Sequence, residues 1–118
     1  MPKILVVDDA AFMRMRVAKL LTENGYEVIE AGDGQEGLDQ YKANQPDMVL
    51  MDITMPVMDG ITAVEEIKKV DPNACIVMCS ALGQQTMVMN SVKAGAKDFI
   101  VKPYQPEKIL ATIKRFVG

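Results

Sequence analysis

Asp8, Asp9, Asp52, Ser80 and Lys102 are the residues of this chain whose types and settings can do chemistry. Each stands at the end of an apolar run. KILVV at 3–7 stops at the acidic pair Asp8-Asp9, MVLM at 48–51 stops at Asp52, a run through Cys79 stops at Ser80, and one through Val101 stops at Lys102. Such runs, with no polar face, read as strands of a parallel sheet buried on both sides. Open α/β sheets hold their ligand sites in the crevice beyond the carboxyl ends of the strands. One Asp in that place simply ends a strand and opens a turn. Three carboxylates facing one ammonium are different, because their excess negative charge is costly unless a cation enters. Mg²⁺ suits them, since it prefers hard oxygen ligands and commonly binds through one or two carboxylates, waters and a phosphoryl oxygen. A carboxylate beside it can attack a phosphoryl group to form an acyl phosphate, with Mg²⁺ and the Lys102 ammonium neutralising the transferring oxygens. Ser80, a hydroxyl at the neighbouring strand end, can then bond a phosphoryl oxygen.

Positioning these groups requires a particular set of elements. After the first strand, Met13, Val17, Leu20 and Leu21 repeat at helical spacing, and Gly25 supplies the left-handed residue that commonly closes a helix. Tyr26–Ala31 reads as a second strand, and Glu27 and Glu30 within it place it near a sheet edge. A helix from about Gly34 to Lys42 turns Leu38 and Tyr41 inward, and Gly37 should weaken it by about 0.5–1 kcal/mol relative to Ala. Beyond Asp52 the irregular stretch through Asp59-Gly60 leads to a third helix with Ile61, Val64 and Ile67, which must stop by Asp71 because Pro72 follows. Ala74–Cys79 is a fourth strand. Gln84–Lys93 is a helix with a thin stripe of Val88 and Val92 that gives way at Gly95, and Lys97–Val101 is a fifth strand. The last helix opens on Pro106 and buries Ile109, Leu110, Ile113 and Phe116. Five βα units in succession predict a single doubly wound α/β domain over residues 1–118, of flavodoxin-like topology, with parallel strand order 2-1-3-4-5. That order brings Asp8, Asp9 and Asp52 together at the switch point, with Ser80 and Lys102 on the same rim.

Composition narrows the classes. The chain has 118 residues, 49% hydrophobic and 25% charged, which suits one globular core without disulfides or metals to hold it. A net charge of −3 with no block of Lys and Arg argues against a nucleic-acid surface. No apolar run approaches membrane-spanning length and the N-terminus reads straight into a strand, so a cytoplasmic protein is expected. With no His and only Cys75 and Cys79 as cysteines, buried free thiols are expected rather than a zinc site. The ten methionines are read mainly as core.

The stretches VVDDAAFMRM at 6–15, MDITMPVMDG at 51–60, CSALG at 79–83 and AGAKDFIVKPY at 94–104 resemble, in this order and on βα boundaries, the receiver domains of bacterial two-component response regulators. The resemblance covers the whole chain and leans toward the stand-alone chemotaxis regulators of that family. It implies that Asp52 is the phosphoacceptor. Asp9 and Asp52 would be direct Mg²⁺ ligands with the backbone carbonyl of Thr54, and Asp8 would act mainly through water. Lys102 would be the family's lysine, followed by a cis peptide to Pro103. Ser80 would be the hydroxyl that moves toward the phosphoryl group, and Phe99 the aromatic that turns inward with it. The family often has Tyr at the place of Phe99, so a phenolic hydroxyl has no part here. Thr54 and Leu82 occupy places that tune water's access to the acyl phosphate, and Leu82 offers no group to orient that water.

The function that follows is a phosphorylation-activated switch rather than a turnover enzyme. A CheA-like histidine kinase would supply the phosphoryl group, and the surface of the fourth helix, fifth strand and last helix would then bind a target, the flagellar motor switch or another protein. A phosphatase is a further possible partner, no nucleic acid or membrane is expected, and the protein would be a monomer. Phe12, beside the acidic pair, would either contact a kinase or phosphatase or cover the acidic site. The alternative is a single-domain phosphorelay intermediate that passes the group to a second histidine protein. Two other classes fit less well. An FMN carrier needs a Ser/Thr- and Gly-rich phosphate cradle where DDAAF stands, and a haloacid-dehalogenase-type phosphatase needs an Asp where Thr54 stands. A purely structural module leaves the carboxylates unexplained.

Overall fold

The computed structural model describes residues 1–53, 55, 57–81, 85–102 and 105–117, residue 85 by its backbone alone. Five strands alternate with five helices: β1 (Lys3–Val7), α1 (Ala11–Glu23), β2 (Glu27–Ala31), α2 (Gly34–Asn44), β3 (Met48–Asp52), α3 (Gly60–Val70), β4 (Ile76–Ser80), α4 (Gln85–Ala94), β5 (Asp98–Val101) and α5 (Pro106–Val117). The strands form one parallel sheet in the order β2-β1-β3-β4-β5, the doubly wound arrangement expected from the succession of βα units. Element ends differ from the sequence reading by a residue or two, as frayed ends do.

Strand alternation divides the core into two layers. Ile4, Val6, Met48, Leu50, Val77, Cys79 and Ile100 pack with Val17 and Leu21 of α1 and Ile109 and Ile113 of α5. Leu5, Val7, Val49, Met51, Ile76 and Met78 face α2 and α3, with Met87, Val88 and Ala94 of α4 beside them. All five residues of β3 and all five of β4 are buried, whereas β2 has two exposed glutamates, Glu27 and Glu30, in keeping with its edge position. Neither cysteine is in a disulfide; Cys79 is buried and Cys75 half-buried.

The predicted punctuation is where it was expected. Gly25 closes α1 at φ +88° and Gly95 follows α4 at φ +122°, conformations that L side chains rarely adopt. Two expectations need correction. Val92 is 53% exposed, because α4 turns Met87, Val88, Ser91 and Ala94 toward the core, and Ser91 sits fully buried with its hydroxyl donating to the Met87 carbonyl at 2.8 Å. Nor is Gly37 merely a weak point of α2. A Cβ there would lie 3.0 and 3.2 Å from the two γ-methyls of Val7, so the missing side chain is what lets α2 settle on β1.

Candidate phosphoacceptor site

The rim is assembled by register. β1 pairs with β3 as Ile4 with Met48 through Val7 with Met51, and one further step sets Asp8 beside Asp52. Both continue the alternation that faces α1 and α5, and Lys102 does the same from β5, two residues past Ile100. Three strand ends thus deliver side chains to one side of the sheet. The Lys102 Nζ lies 3.1 Å from Asp52 Oδ1 and 3.4 Å from Asp8 Oδ2. Asp8 is 2% exposed and Asp52 8%, while Asp9 is exposed. One carboxylate oxygen from each of the three lies within 4.8 Å of the others. An all-carboxylate set of that span fits a hard divalent cation such as Mg²⁺.

Electrostatics bear out the tension in this cluster. Burial pushes the Asp52 carboxyl above its ordinary value, the Lys102 ammonium pulls it back, and Asp8 and Asp9 push it up again, leaving it raised. For Lys102, burial works to lower the ammonium, but Asp52 and then Asp8 outweigh it and hold it above its ordinary value. A cation entering among the carboxylates would relieve the repulsion that Lys102 offsets in part.

Backbone contacts hold the rim together. The Lys102 amide donates to the Ser80 carbonyl at 2.6 Å and the Ile53 amide to the Cys79 carbonyl at 3.2 Å, linking the ends of β3, β4 and β5. Ser80 is 2% exposed, one residue past the partner of Asp52 on β4. Strand alternation puts Ser80 on the α2 to α4 side, where Phe99 also lies by its pairing with Met78. Phe99 is 44% exposed. Phe12 is 69% exposed, with the Arg16 guanidinium 5.8 Å from its ring centroid. Thr54, Leu82 and Pro103, with the proposed metal-binding carbonyl, the water-tuning position and the cis peptide, lie outside the described residues.

Some residues that shape the site had no role of their own assigned from the sequence. Gly60 is one. A Cβ there would collide with the Asp52 carbonyl and lie 2.8 Å from the Ile53 Cα, while its amide donates to the Ile53 carbonyl at 2.7 Å. The start of α3 is therefore pressed directly against the backbone at the end of β3, and Asp59 caps that helix by accepting from the Thr62 amide at 2.8 Å. Arg14 is another, donating from Nη1 to the Asp8 carbonyl at 2.6 Å. A clue was available: a cation in the first turns of a helix opposes the helix dipole and requires compensation.

Comparison with known proteins places this geometry. Residues 4–114 match the family model described as the response regulator receiver domain. Over 114 residues the chain is 56% identical to the chemotaxis protein CheY of Bacillus subtilis, covering 96% of this chain and 95% of that one. Among solved structures it is similar to the chemotaxis protein CheY4 of Vibrio cholerae, with TM-score 0.94, 32% identity and 99% of each chain covered. It is similar also to a chain of the CheX–CheY–BeF3–Mg complex from Borrelia burgdorferi, with TM-score 0.90, 40% identity, and 98% of this chain and 90% of that one covered. With its carboxylates, lysine and serine set on the strand ends of a five-stranded parallel sheet, the chain belongs to the response regulator receiver family and is closely related to CheY.

Proposed function

We propose that Asp52 accepts a phosphoryl group from the phosphohistidine of a chemotaxis-type histidine kinase, and that the modified chain binds a target, the flagellar motor switch. The single observation that carries this reading is Lys102 held 3.1 Å from Asp52 within a cluster of three carboxylates at the switch point of the sheet. An Asp52 oxygen attacks phosphorus, the P–N bond breaks, and the imidazole leaves with the bonding electrons. Lys102 stabilises negative charge on the transferring oxygens. Asp8, Asp9 and Asp52, with the Thr54 carbonyl that the family resemblance adds, would hold Mg²⁺, which when bound supplies further neutralisation of those oxygens.

Once modified, Asp52 carries added charge and strong acceptors. The Ser80 hydroxyl gains a partner that exists only in that state, and its movement frees space beneath β5 for Phe99 to turn inward. Met89, Val92, Phe99 and Val101, all exposed on α4 and β5, form the surface whose shape then changes. Output is binding and the chain is a switch, not a turnover enzyme. It acts as a cytoplasmic monomer; among the described residues no helix is long and apolar enough to cross a membrane. The 56% identity with a CheY chain supports the chemotaxis assignment.

The test is Mg²⁺-dependent labelling by acetyl phosphate or beryllofluoride. Asp52→Asn should abolish it, and undiminished labelling overturns the assignment. Chemical shifts at Ser80 and Phe99 should move with beryllofluoride; a response confined to the acidic rim overturns the switch.

A further inference from the structure

We propose that Arg14 is a positioning residue for the acidic cluster, fixing the peptide between Asp8 and Asp9 so that the exposed Asp9 is aimed at the cation; this rests on the phosphoacceptor reading above. Each polar handle of Asp8 is held by a different part of the fold. Its amide donates to the Ala31 carbonyl at 3.1 Å, Oδ1 accepts from the Ala10 amide at 2.9 Å, and Oδ2 faces Lys102. Its carbonyl accepts from Arg14 Nη1 at 2.6 Å. That carbonyl belongs to the same peptide plane as the Asp9 amide, so the direction in which Asp9 leaves the backbone follows from it.

Arg14 is itself anchored. Its Nε lies 3.1 Å from Glu30 Oε1 on β2, and its side chain is 20% exposed. The residue is the fourth of α1, where the helix dipole disfavours a cation. Glu30 and the Asp8 carbonyl compensate that cost and leave little net positive charge beside a site that must attract Mg²⁺. The strut runs from β2 through α1 to the metal-binding turn. It needs the planar fork of a guanidinium, which donates in two directions at once; an ammonium on a flexible stem does not reproduce the pair. Residues that orient the ligands of a metal typically change its affinity by tenfold or more when removed.

The full chain and its Arg14→Gln, Arg14→Lys and Glu30→Gln variants would be titrated with Mg²⁺ by calorimetry, labelled with acetyl phosphate at limiting and saturating Mg²⁺, and melted in chelator. Arg14→Gln should weaken Mg²⁺ binding about tenfold, with labelling largely recovered at saturating Mg²⁺. Arg14→Lys should fail to restore the affinity although the charge is kept, and Glu30→Gln should weaken it several-fold. Tighter Mg²⁺ binding in Arg14→Gln would mean that its charge acts by simple repulsion, and overturns the proposal. Wild-type affinity in the variants, with only lowered melting temperatures, would mean a structural role and also overturns it. A wild-type chain that neither binds Mg²⁺ nor takes label overturns instead the phosphoacceptor reading.

Discussion

Asp52 carries its carboxylate in surroundings that favour the protonated form, because burial and two neighbouring carboxylates outweigh Lys102. With its native-state value raised above the unfolded one, the stability this group contributes is complete below about pH 4 and is lost as pH rises through the raised value. Asp52→Asn removes the titration and keeps the shape. In chelator at pH 7 the variant should therefore melt above the wild type, and the gap should close as pH falls toward 4; a variant less stable at pH 7 would contradict this balance. Gly60 bears on the backbone of the same residue. Gly60→Ala must push the start of α3 away from the Asp52 backbone, at about 2 kcal/mol or more by the usual cost of overpacking. Denaturant melts should show that loss, with labelling at Asp52 reduced even where the variant is folded.

Elements are placed by periodicity, but their distance of approach is not. α2 shows the difference. Its apolar phase puts Leu38 and Tyr41 inward, and both are buried as expected. Helix propensity alone says that Gly37→Ala should stabilise α2 by about 0.5–1 kcal/mol. Against that stands Val7, 1% exposed and stiff at χ1, with methyls 3.0 and 3.2 Å from where the new carbon would be. Chemical denaturation should show Gly37→Ala net destabilised by about 1 kcal/mol, and a net gain would show that α2 can move off β1 freely. In α4 the sequence offered Val88 and Val92 as the inner stripe, but the helix turns so that buried Ser91 faces in and Val92 out. A hydroxyl satisfied by its own helix carbonyl costs little to bury, which is why polarity misread that face.

At the scale of the molecule, the sheet is what converts separate strand ends into one site. Asp8 and Lys102 are 94 positions apart in the chain and 3.4 Å apart in space. Because a bound cation would be held by β1 and β3 together, binding should stabilise the whole cooperative unit. At a hundred times its dissociation constant, Mg²⁺ should add about 2.7 kcal/mol and raise the melting temperature by on the order of 10 °C. Melts of the wild type with and without Mg²⁺ check this, and the shift should fall sharply in Asp52→Asn; an unchanged melting temperature in the wild type would argue against a site spanning the two strands.

The sequence by itself determined the five βα units, the order of the strands and the meeting of Asp8, Asp9, Asp52 and Lys102, since apolar period, glycine and proline punctuation and the handedness of crossovers are local or nearly obligatory constraints. It also marked β2 as an edge by its glutamates. Only the tertiary structure decided that Gly37 and Gly60 are places of close approach, that Arg14 bridges Asp8 and Glu30, and that Ser91 rather than Val92 enters the core. These depend on how near two surfaces come and how far a side chain reaches across them, and no periodicity along the chain encodes a distance of a few ångströms between residues far apart in it.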